Sequence, residues 1–312
     1  MIRAASLLTL ALAQPAGAFE LAWPAACVLG DTCHIQQYFD HDAGPDATDF
    51  SCGPLSYDGH DGTDIALIDR AEMAEGVAIL AAAPGVVRGM RDGIADFVPK
   101  VEGKECGNGV VITHADGWET QYCHMRQGSV VVRPGQQVQT GDKLGLIGQS
   151  GMADFPHVHL SVRHNGKKID PFEPEGGTCR LTEGPTLWAQ PEPYEPGGFL
   201  AAGFSTAVPT LAAIRAGLPT EPLPDTAAGL VLWAFAFGTR AGDEMTFRID
   251  GPQGQVLQEQ ASLEITQAQM FQAMGKRLTA AAWPDGVYDG VVDLIRAGVK
   301  VDQIKVTVQV GP

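Results

Sequence analysis

Basic residues are scarce in this chain. Lysine and arginine number 21 against 37 aspartates and glutamates in 312 residues, a formal net charge of −16. That balance excludes a nucleic-acid partner, whose phosphates require a basic surface, and a polybasic membrane-binding face. Apolar runs long enough to cross a bilayer are missing as well; the run Leu7 to Ala13 is too short for a stable span. Six cysteines are present, yet no two form a Cys-x-x-Cys pair, which disfavours a zinc–cysteine cluster. Between residues 57 and 180 no long stretch has the 3.6-residue periodicity of an amphipathic helix.

What is present begins with an export signature. Arg3 supplies a positive start, Leu7 to Ala13 an apolar core, and Ala16-Gly17-Ala18 a small-residue cleavage site before Phe19, so residues 1–18 read as a secretory signal. An even number of cysteines in an exported chain implies disulfides among Cys27, Cys33, Cys52, Cys106, Cys123 and Cys179. Cys27 with Cys33 makes a plausible short loop, and the other pairings stay open. Residues 19–56 form an irregular lead-in rich in cysteine and aspartate, suited to packing on the next domain or to lining or covering a cleft. Residues 57–180 alternate short strand patterns with glycine-rich turns, which predicts a mainly β domain built on an antiparallel sheet. Residues 181–226 are proline-rich and read as an extended linker, with one or two helical turns over Leu211 to Ala216. Residues 227–312 read as a smaller immunoglobulin-like β-sandwich, with Gln267 to Met274 as a possible helical insertion.

Three short segments carry the chemistry. His60-Asp61-Gly62-Thr63-Asp64 offers an imidazole and a carboxylate where a glycine-flanked loop enters the apolar run Ile65 to Ile68. His157-Val158-His159 lies in a strand pattern, and side chains at i and i+2 share a face. One of those histidines can bind a metal while its neighbour stays free to exchange a proton. His124 follows Tyr122 and Cys123 in the return strand of a hairpin that turns at Ala115-Asp116-Gly117. Strict alternation places the Cys123 side chain on the face opposite His124, as a bridge partner and not a ligand. A hydrolytic zinc site needs three ligands from imidazoles and carboxylates, plus a position for water. His41, between Asp40 and Asp42, reads as part of a solvated charge cluster.

These segments occur in a recognisable order. HDGTD resembles an HxGxD box, and CGNGVVITHADGWETQYCHM resembles a glycine–asparagine strand, a hairpin and a YxHL box. VRPGQQVQTGDKLGLIGQSG resembles a VkxGqxVxxGqxIGxxGxTG stretch. FPHVHLSVRHNGKKIDPF resembles a pHLHFExxxxGxxxDP ending. From Tyr57 to Phe172 the chain therefore resembles the M23 zinc endopeptidases of the lysostaphin or LytM type, which cut peptides of bacterial cell walls. The resemblance implies Zn2+ held by His60, Asp64 and His159, with His124 and His157 acting on the reacting groups. Departures occur at Asp154-Phe155, Met125, Leu160 and Ser161, none of which is an expected ligand. The implied function is zinc-dependent hydrolysis of stem or cross-link peptides of peptidoglycan, with those peptides as partners. The alternatives are a non-catalytic wall-binding or regulatory protein on the same fold, or a zinc endopeptidase acting on proteins. The signal and the acidic charge place the protein in the periplasm or outside the cell, without insertion into the membrane. On this reading, deletion after Asp225 leaves hydrolysis in part.

Overall fold

The computed structural model describes residues 18–99, 101–177, 184–190 and 193–312. The secretory segment expected over residues 1–18 lies outside the described residues apart from Ala18, and Cys179 also lies outside them. In chain order the first ten strands are β1 (Cys33–Gln37), β2 (Thr63–Leu67), β3 (Ala78–Leu80), β4 (Gly85–Arg91), β5 (Asn108–Thr113), β6 (Trp118–Met125), β7 (Gln137–Val138), β8 (Lys143–Leu146), β9 (His157–His164) and β10 (Lys167–Ile169). The main sheet runs β1-β2-β9-β6-β5-β4-β7, with β10 added to β9, and β3 pairs with β8 in a small second sheet. The fold is mainly antiparallel β.

Period-two patterning accounts for the central strands. Val158, Leu160 and Val162 of β9 are fully buried in a core shared with Ile65 and Leu67 of β2 and with Val110, Ile112 and Tyr122. The alternate residues of β9, His157, His159 and Ser161, point to the opposite face, where a cleft opens. A strand two residues out of step would keep this pattern, but a one-residue slip would bury the histidines and expose the valines, so register is strongly set.

The lead-in is more than a cover. Its strand β1 pairs with β2 and extends the main sheet. Asp40, only 7% exposed, accepts hydrogen bonds from the amides of Asp42, Thr48 and Gly59. His41 donates to or shares a proton with Asp170 at 2.7 Å and is largely buried, so the solvated cluster expected there is a structural clasp. Disulfides Cys27–Cys33 and Cys106–Cys123 are formed.

The second half contains β11 (Gly198–Ser205), β12 (Gly229–Thr239), β13 (Glu244–Gly251), β14 (Gly254–Ser262), β15 (Gln267–Arg277), β16 (Gly286–Arg296) and β17 (Val299–Val310). Two sheets, β11-β12-β15 and β14-β13-β16-β17, enclose a core of Leu230, Leu232, Met245, Phe247, Tyr288 and Val292. Every residue of β12 is buried, because its other face packs Trp233 and Phe235 against Ile214 of the helix α2 (Leu211–Arg215).

Two expectations need correction. Gly198–Ser205, read as linker, is a strand paired along β12; its glycines and alanines conceal the strand signal, and Gly203 is glycine because a Cβ would press on the Trp233 ring. Gln267–Met274, read as a possible helix, lies in β15, paired residue for residue with β12. Its alanines, glutamines and methionines favour helix, but pairing to a buried strand overrides that weak preference.

The two halves meet closely. Phe237 of β12 belongs to the core of the first half, and its ring lies 4.7 Å from that of His34. His34 is 2% exposed, and burial lowers its pKa to about 4. A histidine that stays neutral when folded but takes a proton when unfolded contributes stability above its unfolded pKa. That contribution is lost as pH falls from about 6.5 towards 4, and amounts to roughly 3 kcal/mol. Melting temperature should therefore fall through this window, and His34→Gln should flatten that segment of the curve. Parallel curves for the two proteins would contradict the assignment.

Candidate metal centre and cleft

Residues from neighbouring strands form one cross-sheet row. Gln37 faces Asp64, Asp64 faces His159, and His159 faces Cys123, across β1, β2, β9 and β6. The next position pairs Ala66 with His157. His60 comes from the loop before β2. The backbone of the lead-in holds that loop: the Asp40 amide donates to the His60 carbonyl at 2.9 Å, and the Tyr38 carbonyl accepts from His60 Nδ1–H at 2.6 Å. Gly62 is required where this loop crosses β9, because a Cβ there would sit 2.6 Å from His159 Nε2 and 2.5 Å from the Leu160 carbonyl oxygen.

The row converges on three atoms. His159 Nδ1 lies 2.8 Å from Asp64 Oδ1. His60 Nε2 lies 3.2 Å from His159 Nδ1 and 3.2 Å from Asp64 Oδ1. Donors around a tetrahedral zinc with bonds of about 2.0 Å stand about 3.3 Å apart, so the triangle is close to the size such an ion needs. The outer ring nitrogens are engaged in a way that suits ligation. His60 Nδ1–H is held by a carbonyl, and His159 Nε2 is held by Asp61 Oδ1 at 3.2 Å and Ser161 Oγ at 2.9 Å, leaving the inward nitrogens for a metal. Burial disfavours charge on His159, yet its bonds to Asp61 and Asp64 outweigh that and raise its pKa to about 9. Burial likewise opposes ionisation of Asp64, but the surrounding imidazoles hold its carboxyl well below the usual range. The cluster is thus built to hold positive charge, and a cation would displace the His159 proton. Its residues fit a metal ion.

Two more imidazoles face the same space. His157 donates Nδ1–H to the Phe155 carbonyl at 2.9 Å, and its Nε2 lies 3.6 Å from Asp64 Oδ1. His124 donates Nδ1–H to the Ser150 carbonyl at 2.8 Å. Their rings are 4.5 Å apart. Burial, reinforced by the neighbouring imidazoles, lowers the pKa of His124 to about 3; burial lowers that of His157 also. Both therefore stay neutral with an unprotonated Nε2 available.

Asp64, His124, His157 and His159 line one open cleft of about 600 Å³, together with Gln37, Tyr57, Asp61, Ser161, Arg163 and Ala268; His60 lies buried behind it, 3.2 Å from both Asp64 Oδ1 and His159 Nδ1. Strict alternation fails at one place. Cys123 and His124, adjacent in sequence, both reach this cleft. His124 has φ of +62°, and the β5–β6 register shifts between Asn108 and Val110, so a bulge turns its ring to the face Cys123 already occupies. Gln37 and Ala268 had no signal in the sequence: one comes from the lead-in and the other from β15, and only their pairing partners bring them here.

Comparison with known proteins agrees with the motif order. Residues 58–171 match the model for peptidase family M23. The DD-carboxypeptidase/endopeptidase Mpg of Neisseria meningitidis is 34% identical over 97 residues, 31% of this chain and 21% of that protein. The peptidoglycan DD-endopeptidase ShyA of Vibrio cholerae is 34% identical over 64 residues, 20% of this chain and 14% of that protein. The matched region thus spans about a fifth or less of these relatives. Among solved structures, a catalytic-domain variant of the prophage-encoded M23 protein EnpA from Enterococcus faecalis aligns with 25% identity and a TM-score of 0.34, covering 50% of this chain and 96% of that one.

Proposed function

We propose that this chain, whose residues 58–171 are a peptidase family M23 domain, is a zinc-dependent endopeptidase that cuts stem or cross-link peptides of peptidoglycan in the periplasm or outside the cell. The observation that carries this reading is the convergence of three metal donors beside two neutral imidazoles at the floor of one open cleft, with Asp64, His124, His157 and His159 lining it. The Vibrio cholerae relative, named a peptidoglycan DD-endopeptidase, supports the substrate class.

His60, Asp64 and His159 would hold the ion. Zinc there supplies Lewis acidity, which polarises a scissile carbonyl and makes an attacking water more acidic. The remaining steps fall to the protein. His124 and His157 each present a lone pair at Nε2, so one takes the proton of the attacking water and the pair returns a proton to the leaving amine. The carbonyls of Ser150 and Phe155 keep both rings in the required tautomer. The imidazole that becomes protonated also stabilises negative charge developing on the carbonyl oxygen.

The direct test is zinc content per chain, measured alongside release of soluble peptides from purified peptidoglycan and from an unfolded protein substrate. About one zinc and release from peptidoglycan is the expected result. Cleavage of the protein substrate alone would move the reading to a protein endopeptidase, and a chain that takes up no zinc would overturn it.

A further inference from the structure

We propose that the Cys106–Cys123 disulfide is a positioning element for the proton-transfer histidine, holding His124 in the backbone conformation that brings its ring into the cleft. The proposal rests on His124 as a reacting group and adds a covalent control to it.

His124 sits where a side chain pays a conformational cost. Its φ of +62° lies in the left-handed region, where a Cβ crowds the neighbouring carbonyl oxygen. Such a conformation persists only when the surroundings impose it. Three contacts do so here, and two involve one residue. The His124 amide donates to the Cys106 carbonyl at 2.8 Å. Cys106 is bonded through sulfur to Cys123, the residue immediately before His124. Cys106 therefore grips two consecutive residues of β6, one covalently and one by hydrogen bond. The third contact is the bond from Nδ1–H to the Ser150 carbonyl.

The disulfide lies inside the site itself. Both cysteines line the cleft, and Cys123 faces His159 in register. Gln121 donates Nε2–H towards both sulfurs, at 3.3 and 3.4 Å, while its Oε1 accepts from Arg163 at 2.8 Å. Tight glycine turns bring the loop close enough: Gly107 has φ of +62° and backs directly onto Ser150. Other contacts anchor the same loop independently, including the Asp96 carboxylate on the Gln149 amide and the Asn108 side chain on Ile94. Opening the disulfide should thus loosen His124 without unfolding the domain. The Cys27–Cys33 bridge lies in the lead-in and touches none of these groups.

The test compares the full-length protein with the double variant Cys106→Ala/Cys123→Ala. Three quantities are read: zinc per chain, kcat and KM on peptidoglycan fragments, and the imidazole nitrogen resonances of His124 by NMR. Zinc content should be unchanged, kcat should fall about 10- to 100-fold, and KM should stay within about threefold. The His124 signals should broaden or shift, while those of His60 and His159 should not. Unchanged His124 resonances with unchanged kcat would overturn the proposal. So would loss of zinc in step with activity, since that describes general collapse of the site. The resonances decide the matter even if the wild-type protein hydrolyses nothing, so failure of the proposed activity is distinguishable. Should the double variant not fold, a phosphine reductant applied to the folded wild type serves instead. It transfers two electrons to the disulfide, and one water supplies the oxygen of the phosphine oxide and the protons of the two thiols. Loss of kcat that returns on reoxidation is then expected, and full activity with Cys106 and Cys123 demonstrably reduced would refute the role.

Discussion

His159→Ala is expected to abolish metal binding and hydrolysis together, whereas His124→Ala should keep about one metal per chain and lose about 10²- to 10⁴-fold in kcat. The contrast follows from position. His159 Nδ1 is one corner of the donor triangle, and its ring bonds both Asp61 and Asp64. Its removal leaves the 3% exposed Asp64 near His60 and His157 alone, with one donor fewer for an ion. His124 contributes no atom to the triangle; its ring lies tilted against that of His157, 4.5 Å away. Metal analysis and initial rates on the same preparations decide between these outcomes. A His159→Ala protein that is active without metal would remove the basis of the mechanism, and a metal-free His124→Ala protein would show that the two roles are not separable.

Truncating the chain after Asp225 should destroy hydrolysis, and Phe237→Ala alone should lower stability by about 3–5 kcal/mol. The sequence reading treats the C-terminal half as separable, but the seam between halves is part of the N-terminal half's own core. Phe237 packs among residues of that core, and the Leu55 side chain lies against Gly238. Gln36 is fully buried; it donates to the Ala268 carbonyl and accepts from Gln269, both at 2.8 Å. Deleting β12–β17 would expose the first contact and strip the Gln36 amide of its Ala268 and Gln269 partners, leaving its bond to His34 Nε2 at 3.0 Å. Ala268 also lines the cleft, so the wall beside Gln37 would be lost with it. Thermal unfolding of Phe237→Ala should show a Tm lower by roughly 10 °C. A truncated protein that melts cooperatively and retains hydrolysis would show that the halves are independent after all.

The candidate donor residues and most of the central sheet are legible in local sequence pattern. Imidazoles two residues apart in a strand must share a face, and buried valine and leucine between them determine which face that is; β9 obeys this rule fully. The glycine in His60-Asp61-Gly62-Thr63-Asp64 was legible as a turn, but its need to clear the His159 ring was not, because the two lie 97 positions apart. Tertiary structure decided the rest wherever local preference was weak or misleading. Alternation predicted Cys123 and His124 on opposite faces, and a left-handed bulge held by Cys106 and Ser150 put them on the same one. Residues 267–274 carry helical preference, yet a wholly buried neighbouring strand offered a full ladder of hydrogen bonds and drew them into β15. The same pairing delivered Ala268 to the cleft. Local periodicity can report which face of a strand is buried, but it cannot report what a distant strand presses against that face.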